Sequence, residues 1–176
     1  MTTSLPSIAL DCFLNPARNR TEPYGERRAI LSAAALGQAQ GAITRWPGYA
    51  PTPLVDLSAF ARELGVASLH YKDEGTRFGL GSFKALGGAY AVARLLCREL
   101  SARLRRPVDF DALLGDLDVR LAAQRITVTC ATDGNHGRSV AWGAQMFGCA
   151  CVIYIHATVS EGRRAAIEAY GARVVR

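Results

Sequence analysis

Lys84 sits where a strand-to-loop segment turns into an apolar helix, within Lys72-Asp73-Glu74-Gly75-Thr76-Arg77-Phe78-Gly79-Leu80-Gly81-Ser82-Phe83-Lys84-Ala85-Leu86-Gly87-Gly88. A lysine just inside a helix N-terminus meets the positive end of the helix dipole, which disfavours its ammonium form, and burial beside Phe83 and Leu86 pushes the same way. The expectation is a neutral amine, nucleophilic toward an aldehyde and suited to Schiff-base chemistry. The plainer alternative is a solvated first-turn lysine. On that reading Gly87 and Gly88, each costing about 1 kcal/mol relative to alanine inside a helix, need another cause. Close approach of a planar cofactor or of a tightly packed neighbouring element accounts for them equally.

A second segment, Thr132-Asp133-Gly134-Asn135-His136-Gly137, carries more polar chemistry than a turn requires. Asp-Gly followed by Asn-His is turn chemistry, and an Asx-type cap on the following helix is its simplest explanation. The flanking glycines Gly134 and Gly137 also permit a ligand to approach the backbone closely. Asn135 can donate an amide N–H to a phenolate oxygen such as the ring hydroxyl of pyridoxal phosphate, the cofactor that Schiff-base lysines most commonly serve. His136 is read as orienting neighbours through hydrogen bonds rather than as a direct catalyst. His70 and His156 lie in or just after apolar strand segments and read as core or rim residues.

Other chemistries find no support in the spacing. Gly79-x-Gly81 lacks the third glycine of a dinucleotide fingerprint, and no glycine precedes Lys84 as a phosphate-binding P-loop requires. HExxH and paired-cysteine metal spacings are absent from the sequence. Ser139, His136 and Asp133 fall within one and a half turns of loop and helix, without the separation of a nucleophile–base–orienter relay.

Two such segments need a scaffold to bring them together. With 176 residues, 49% hydrophobic and 20% charged, the chain suits one sizeable globular core. The formal charge of +6 arises from scattered basic residues. Arg103, Arg105 and Arg106, and the pair Arg163-Arg164, are not interleaved with aromatics, so no nucleic-acid partner is expected. Five cysteines, at positions 12, 97, 130, 149 and 151, form no CxxC pair and read as small core hydrophobes in a reducing compartment. Without a signal-like N-terminus or an apolar run of membrane-spanning length, the expectation is a cytoplasmic protein with no membrane partner.

Along the chain, residues 1–50 read as a lead-in with a helix at Arg27–Gln40, and the alternating elements follow over 51–176. Pro51-Thr52-Pro53-Leu54 is an extended entry segment. A helix at Ser58–Leu64 stops at Gly65. Strands are expected at Ser68–Lys72, Ile126–Ala131, Cys149–Ile155 and from Ala172. Helices are expected from Phe83 to about Leu100, at Asn135–Phe147 and at Glu161–Tyr170, with a charged helical insertion over Ser101–Gln124. Strands alternating with helices, and apolar on both faces, predict an α/β fold whose parallel sheet carries helices on both faces. Ligands on such sheets bind beyond the carboxyl ends of the strands, so Asp73–Ser82 and Thr132–Gly137 are expected to face one pocket.

Ser82-Phe83-Lys84, together with Gly134-Asn135-His136-Gly137, resembles the motif pair of the fold type II, tryptophan synthase β-like, pyridoxal phosphate enzymes. Generic members place the lysine one residue closer to the Lys-x-Glu that opens the segment, and usually have a proline where this chain has Phe78-Gly79-Leu80. The longer loop, the continuation Leu86-Gly87-Gly88-Ala89-Tyr90-Ala91, the upstream Gly48-Tyr49-x-Pro51-Thr52-Pro53-Leu54 and Thr132–Arg138 with Val140-Ala141-Trp142 are similar to the diaminopropionate ammonia-lyase family. That family also carries an insertion like Ser101–Gln124.

The resemblance implies α,β-elimination on 2,3-diaminopropionate to pyruvate and ammonia, with pyridoxal 5'-phosphate as cofactor and a small amino acid as substrate. It makes Lys84 the Schiff-base residue and the base for the α-proton of the L-isomer, Asp133 the carboxylate associated with the D-isomer, and Asn135 the partner of the ring hydroxyl. Gly134 and His136 fall within the cofactor-binding turn. It also implies a homo-oligomer, a dimer, in the full-length form, and a phosphate-binding glycine loop and pyridine-nitrogen partner beyond Arg176. The chain is therefore expected to be an incomplete, amino-terminal portion of that fold. Alternatives are another fold type II deaminase or dehydratase of the threonine or serine type, or a non-catalytic remnant that binds cofactor or a partner chain.

Overall fold

The structure, a computed structural model, describes residues 13–17, 25 and 30–176. The chain divides into two compact units, residues 1–36 and 37–176, and both chemistry-bearing segments belong to the second. Helix α1 covers Ala33–Ile43, with the Ser32 hydroxyl accepting the Ala35 N–H at 3.1 Å. Of the helix expected at Arg27–Gln40, residues 27–29 lie outside the described ones; the described helix begins later than expected, at Ala33, and ends three residues further, at Ile43.

In the second unit the proline-fixed entry leads into strand β1 (Leu54–Asp56), then helix α2 (Ser58–Leu64), stopped by Gly65, and strand β2 (His70–Lys72). β1 and β2 pair antiparallel, Val55 opposite Tyr71. The strand expected at Ser68–Lys72 therefore forms, shortened, but in a small sheet of its own rather than in the parallel sheet. Its partner β1 follows directly from the Pro51–Pro53 entry, and α2 between the two strands turns the chain back so that they pair antiparallel.

The rest follows the alternating pattern. Helix α3 (Lys84–Leu104) leads through α4 (Phe110–Gly115) and α5 (Leu117–Ala123) into β3 (Thr127–Thr132), α6 (Asn135–Phe147), β4 (Ala150–Ile155), α7 (Glu161–Glu168) and β5 (Arg173–Val175). The insertion is helical as expected, and its two short helices begin at aspartates. Asp109 accepts the Ala112 N–H, and Asp116 accepts those of Asp118 and Val119. β3, β4 and β5 form a parallel sheet in sequence order, with Val128 opposite Cys151 and Ile153 opposite Val174. The α/β class stands. Within that class β3 alternates, with Val128 buried while Thr127, Thr129 and Ala131 are exposed. Its threonines mark a half-buried strand, where β-branching had suggested a fully buried one.

Leu96 and Leu100 on α3, Phe147 on α6, Ile153 on β4 and Ile167 on α7 are fully buried in one cluster. α3 and α6 pack at the distance their small residues set. A Cβ at Gly88 would lie 2.4 Å from the Ser139 hydroxyl, and one at Gly143 would lie 2.8 Å from the Ala89 Cα. The two explanations offered for the α3 glycines thus separate. Gly88 is required by a neighbouring helix, whereas nothing lies within 4 Å of a Cβ at Gly87.

Candidate active site

The loop that delivers Lys84 is fastened by a polar network at its start. Arg77, only 6% exposed, donates from Nε to Glu74 Oε2 at 2.8 Å, from Nη1 to the Ala50 carbonyl at 2.9 Å and from Nη2 to the Thr52 hydroxyl oxygen at 2.9 Å. Its guanidinium also lies 5.6 Å from the Tyr49 ring centroid. Lys72 Nζ donates to the Thr52 carbonyl and hydroxyl oxygens, and that hydroxyl donates to Glu74. Arg77, and after it Thr52 and Lys72, hold the Glu74 carboxyl down at about 2, while Glu74 raises Arg77. The segments Tyr49–Pro53 and Lys72–Leu80, linked in the sequence only by resemblance, are one structure.

Beyond Arg77 the chain makes a tight 3-10 turn, Arg77–Gly79, in which Phe78 adopts φ 50° and ψ 22°. A non-glycine residue in the left-handed region costs on the order of 1 kcal/mol. The Phe78 ring offsets this by packing 4.8 Å from Trp142, 6.1 Å from Trp46 and 6.1 Å from Tyr49, centroid to centroid. Gly79 and Gly81, at φ 70° and 64°, complete the reversal without a side-chain penalty. The Ser82 hydroxyl then accepts the Lys84 N–H at 3.2 Å, and α3 begins.

Three hydrogen bonds join this segment and the start of α3 to α6, whose first residue is Asn135. Arg138 Nη1 donates to the Leu80 carbonyl at 2.9 Å, and the fully buried Ser139 hydroxyl donates to the Lys84 carbonyl at 2.7 Å while accepting the Ala89 N–H at 3.1 Å. The turn before α6 is folded around Thr132, whose hydroxyl oxygen accepts the N–H groups of Gly134 at 3.1 Å and Gly137 at 3.0 Å.

Lys84, Ala131, Thr132, Asp133, Gly134, Asn135, His136 and Arg163 consequently line one cleft of about 400 Å³. The candidate site residues Lys84, Asp133, Gly134, Asn135 and His136 line this concavity, whereas none of Asp73–Ser82, the loop expected to face it, is among the residues that line it. A second expectation needs correction. Lys84 is exposed, and Phe83 is 62% exposed, so these neighbours do not bury the amine; Phe83 caps α3 with its ring turned outward. Position at the first residue of the 21-residue helix α3 is retained. Asp133, Asn135 and His136 are exposed at the cleft, His70 is exposed on β2, and His156 sits at a loop with Nδ1 2.8 Å from the Thr158 hydroxyl.

Several contributors escaped sequence reading. Arg163, on the first turn of α7, reaches the Asp133 carbonyl at 3.5 Å and lays its stem across Gly134. Its neighbour Arg164 pairs instead with Glu161 and Glu168. Ser139, set aside as a nucleophile, is a strut between helices. Its signal was a small polar residue on the apolar face of α6, beside Val140. The cysteines among the described residues are free, and burial pushes Cys97 and Cys149 up to about 11 and Cys151 up to about 12. No helix of the described residues is long and apolar enough to cross a membrane.

Residues 45–176 match the family described as Pyridoxal-phosphate dependent enzyme. The chain is 38% identical over 151 residues to the diaminopropionate ammonia-lyase of Escherichia coli strain K12, covering 86% of this chain and 36% of that protein. The crystal structure of the holo diaminopropionate ammonia lyase from Escherichia coli superposes with a TM-score of 0.72 at 37% identity, over 83% of this chain and 36% of that one. A structure of the same enzyme in complex with D-serine gives 0.70 at 38% identity, over 81% and 35%. The chain thus spans about a third of the length of the relatives it matches.

Proposed function

The chain belongs to the pyridoxal-phosphate dependent enzyme family, and from that premise we propose that it serves a diaminopropionate ammonia-lyase, eliminating ammonia from 2,3-diaminopropionate to leave pyruvate and a second ammonia. The observation that carries the proposal is the single cleft shared by Lys84 and the Asp133–His136 turn. The groups lining it suit the cofactor: a primary amine for its aldehyde, an amide donor for its ring hydroxyl, and a cation in Arg163. When bound, pyridoxal phosphate supplies an electron sink that lets a Cα proton leave.

In this reading Lys84 is the attachment point and, once released, the base for the α-proton of the L-isomer, while Asn135 orients the cofactor ring. Gly134 falls within the cofactor-binding turn beneath the Arg163 stem, and His136 orients its neighbours. Asp133 is the second base. A carboxylate and an amine on opposite sides of one Cα remove protons of opposite configuration, and the D-serine complex of the related enzyme supports a site that admits D-amino acids. The working form is a homodimer in the cytoplasm, where free, unreactive thiols such as Cys149 and Cys151 suit a reducing compartment.

Two measurements test this. The near-visible absorbance of bound pyridoxal phosphate should appear with the protein and vanish in Lys84→Ala. Pyruvate release should favour diaminopropionate over serine and threonine, and Asp133→Asn should reduce turnover of the D-isomer by about 100-fold or more while largely sparing the L-isomer. Equal loss of both isomers would remove the second-base role. A cofactor spectrum unchanged in Lys84→Ala would remove the reading altogether.

A further inference from the structure

We propose that Thr132, to which neither the motifs nor the family assignment gives a role, is the positioning residue of this cleft. Its hydroxyl oxygen accepts two N–H groups of the turn, Gly134 at 3.1 Å and Gly137 at 3.0 Å. These amides stand at the N-cap and the third position of α6, where a helix offers its own backbone no acceptor. One oxygen therefore ties the turn down on either side of Asn135, with Asp133 held between Thr132 itself and the first of these amides. Thr132 is itself rigid, being the last residue of β3 and paired in register with Ile155 of β4.

Its methyl group is equally constrained. A Cβ at Gly137 would lie 2.3 Å from Thr132 Cγ2, and 3.1 Å from Ile153 Cγ2. Gly137 is thus a glycine so that the threonine can close over it, rather than to admit a ligand. Side chain and glycine form a matched pair that transfers the position of the sheet edge to the N-terminus of α6. Arg163, touching the Asp133 carbonyl from α7, braces the opposite side of the same peptide.

The role rests on the function proposed above, because a positioning residue needs a reaction to position for, but it can be tested separately. Thr132→Val keeps the shape, including the methyl against Gly137, and deletes the acceptor; Thr132→Ser keeps the acceptor. In the cofactor-free chain, amide hydrogen exchange at Gly134 and Gly137 should accelerate at least about fivefold in Thr132→Val, the factor that a hydrogen bond of about 1 kcal/mol represents. Exchange in Thr132→Ser should stay near wild type. With pyridoxal phosphate added, Thr132→Val should shift the absorbance of the bound cofactor, and the pH at which it titrates, in the direction given by Asn135→Ala; Thr132→Ser should restore both. Unchanged exchange would overturn the proposal, as would accelerated exchange with the cofactor spectrum left as in wild type. Failure of the wild-type chain to bind the cofactor would instead overturn the functional reading, with the exchange result still deciding whether Thr132 holds the turn.

Discussion

Glu74 lies between two cations, and its ionisation is what keeps the entry to the lysine loop closed. Arg77 first, then Thr52 and Lys72, hold its carboxyl at about 2, below the ordinary 4.5 and against the opposing effect of burial. A depressed carboxyl contributes stability that is fully present above about 4.5 and is lost as pH falls from there toward 2. Chemical denaturation followed across that window should show a fall on the order of 2 kcal/mol in the wild type. Glu74→Gln should start lower at neutral pH and show a flatter profile. A wild-type profile no steeper than that of Glu74→Gln would mean that the ion pair contributes little. The residues that could do chemistry were legible in the sequence because Lys84 opens an apolar helix and Asp133, Asn135 and His136 crowd one short turn. Thr52, Glu74 and Arg77 were legible only as letters of a motif. Their link spans 22 to 25 residues, and no local pattern encodes which buried guanidinium will meet which hydroxyl.

At the scale of elements, the crossing of α3 and α6 decides where Lys84 stands relative to Asn135. Alanine should act oppositely at neighbouring glycines. Gly143→Ala would press a methyl against the Ala89 backbone at 2.8 Å, and Gly88→Ala against the Ser139 hydroxyl at 2.4 Å. Each should cost about 1–3 kcal/mol through overpacking. Gly87→Ala, inside the same helix with open space around it, should stabilise by about 0.5–1 kcal/mol through backbone entropy and propensity. Thermal melts of the three cofactor-free variants give the comparison, and destabilisation by Gly87→Ala would contradict it. Helix periodicity made α2, α6 and the body of α3 readable, with α2 and α6 falling on the expected residues. Strand pairing was less accessible. Ser68–Lys72 has the composition of any short strand, and whether it joins the parallel sheet or Leu54–Asp56 depends on the chain reversal through α2 between the two strands. Burial of β3 was over-read for a similar reason, since β-branching is shared by strands buried on one face and on two.

At the scale of the whole molecule, apolar surface is unevenly distributed. The core beneath α3, α6 and β4 is closed, yet Leu54 is 65% exposed, Tyr71 54% and Val55 39% on the β1–β2 pair. A two-stranded sheet is marginal when it stands alone. Its register is held by the polar anchors Thr52 and Lys72 at its open end more than by burial, which leaves Val55 and Tyr71, directly opposite each other, as an apolar patch available to another surface. A formal charge of +6 opposes association in general, so association through this patch should strengthen as salt screens the repulsion. Sedimentation velocity at tens of micromolar should therefore show a concentration-dependent shift toward dimers that grows with added salt. The double variant Val55→Lys, Tyr71→Lys should abolish that shift while leaving the far-ultraviolet circular dichroism of the core unchanged. Association that persists in the double variant, or that weakens with salt, would place the contact elsewhere on the chain and leave the β1–β2 face as a surface exposed without consequence.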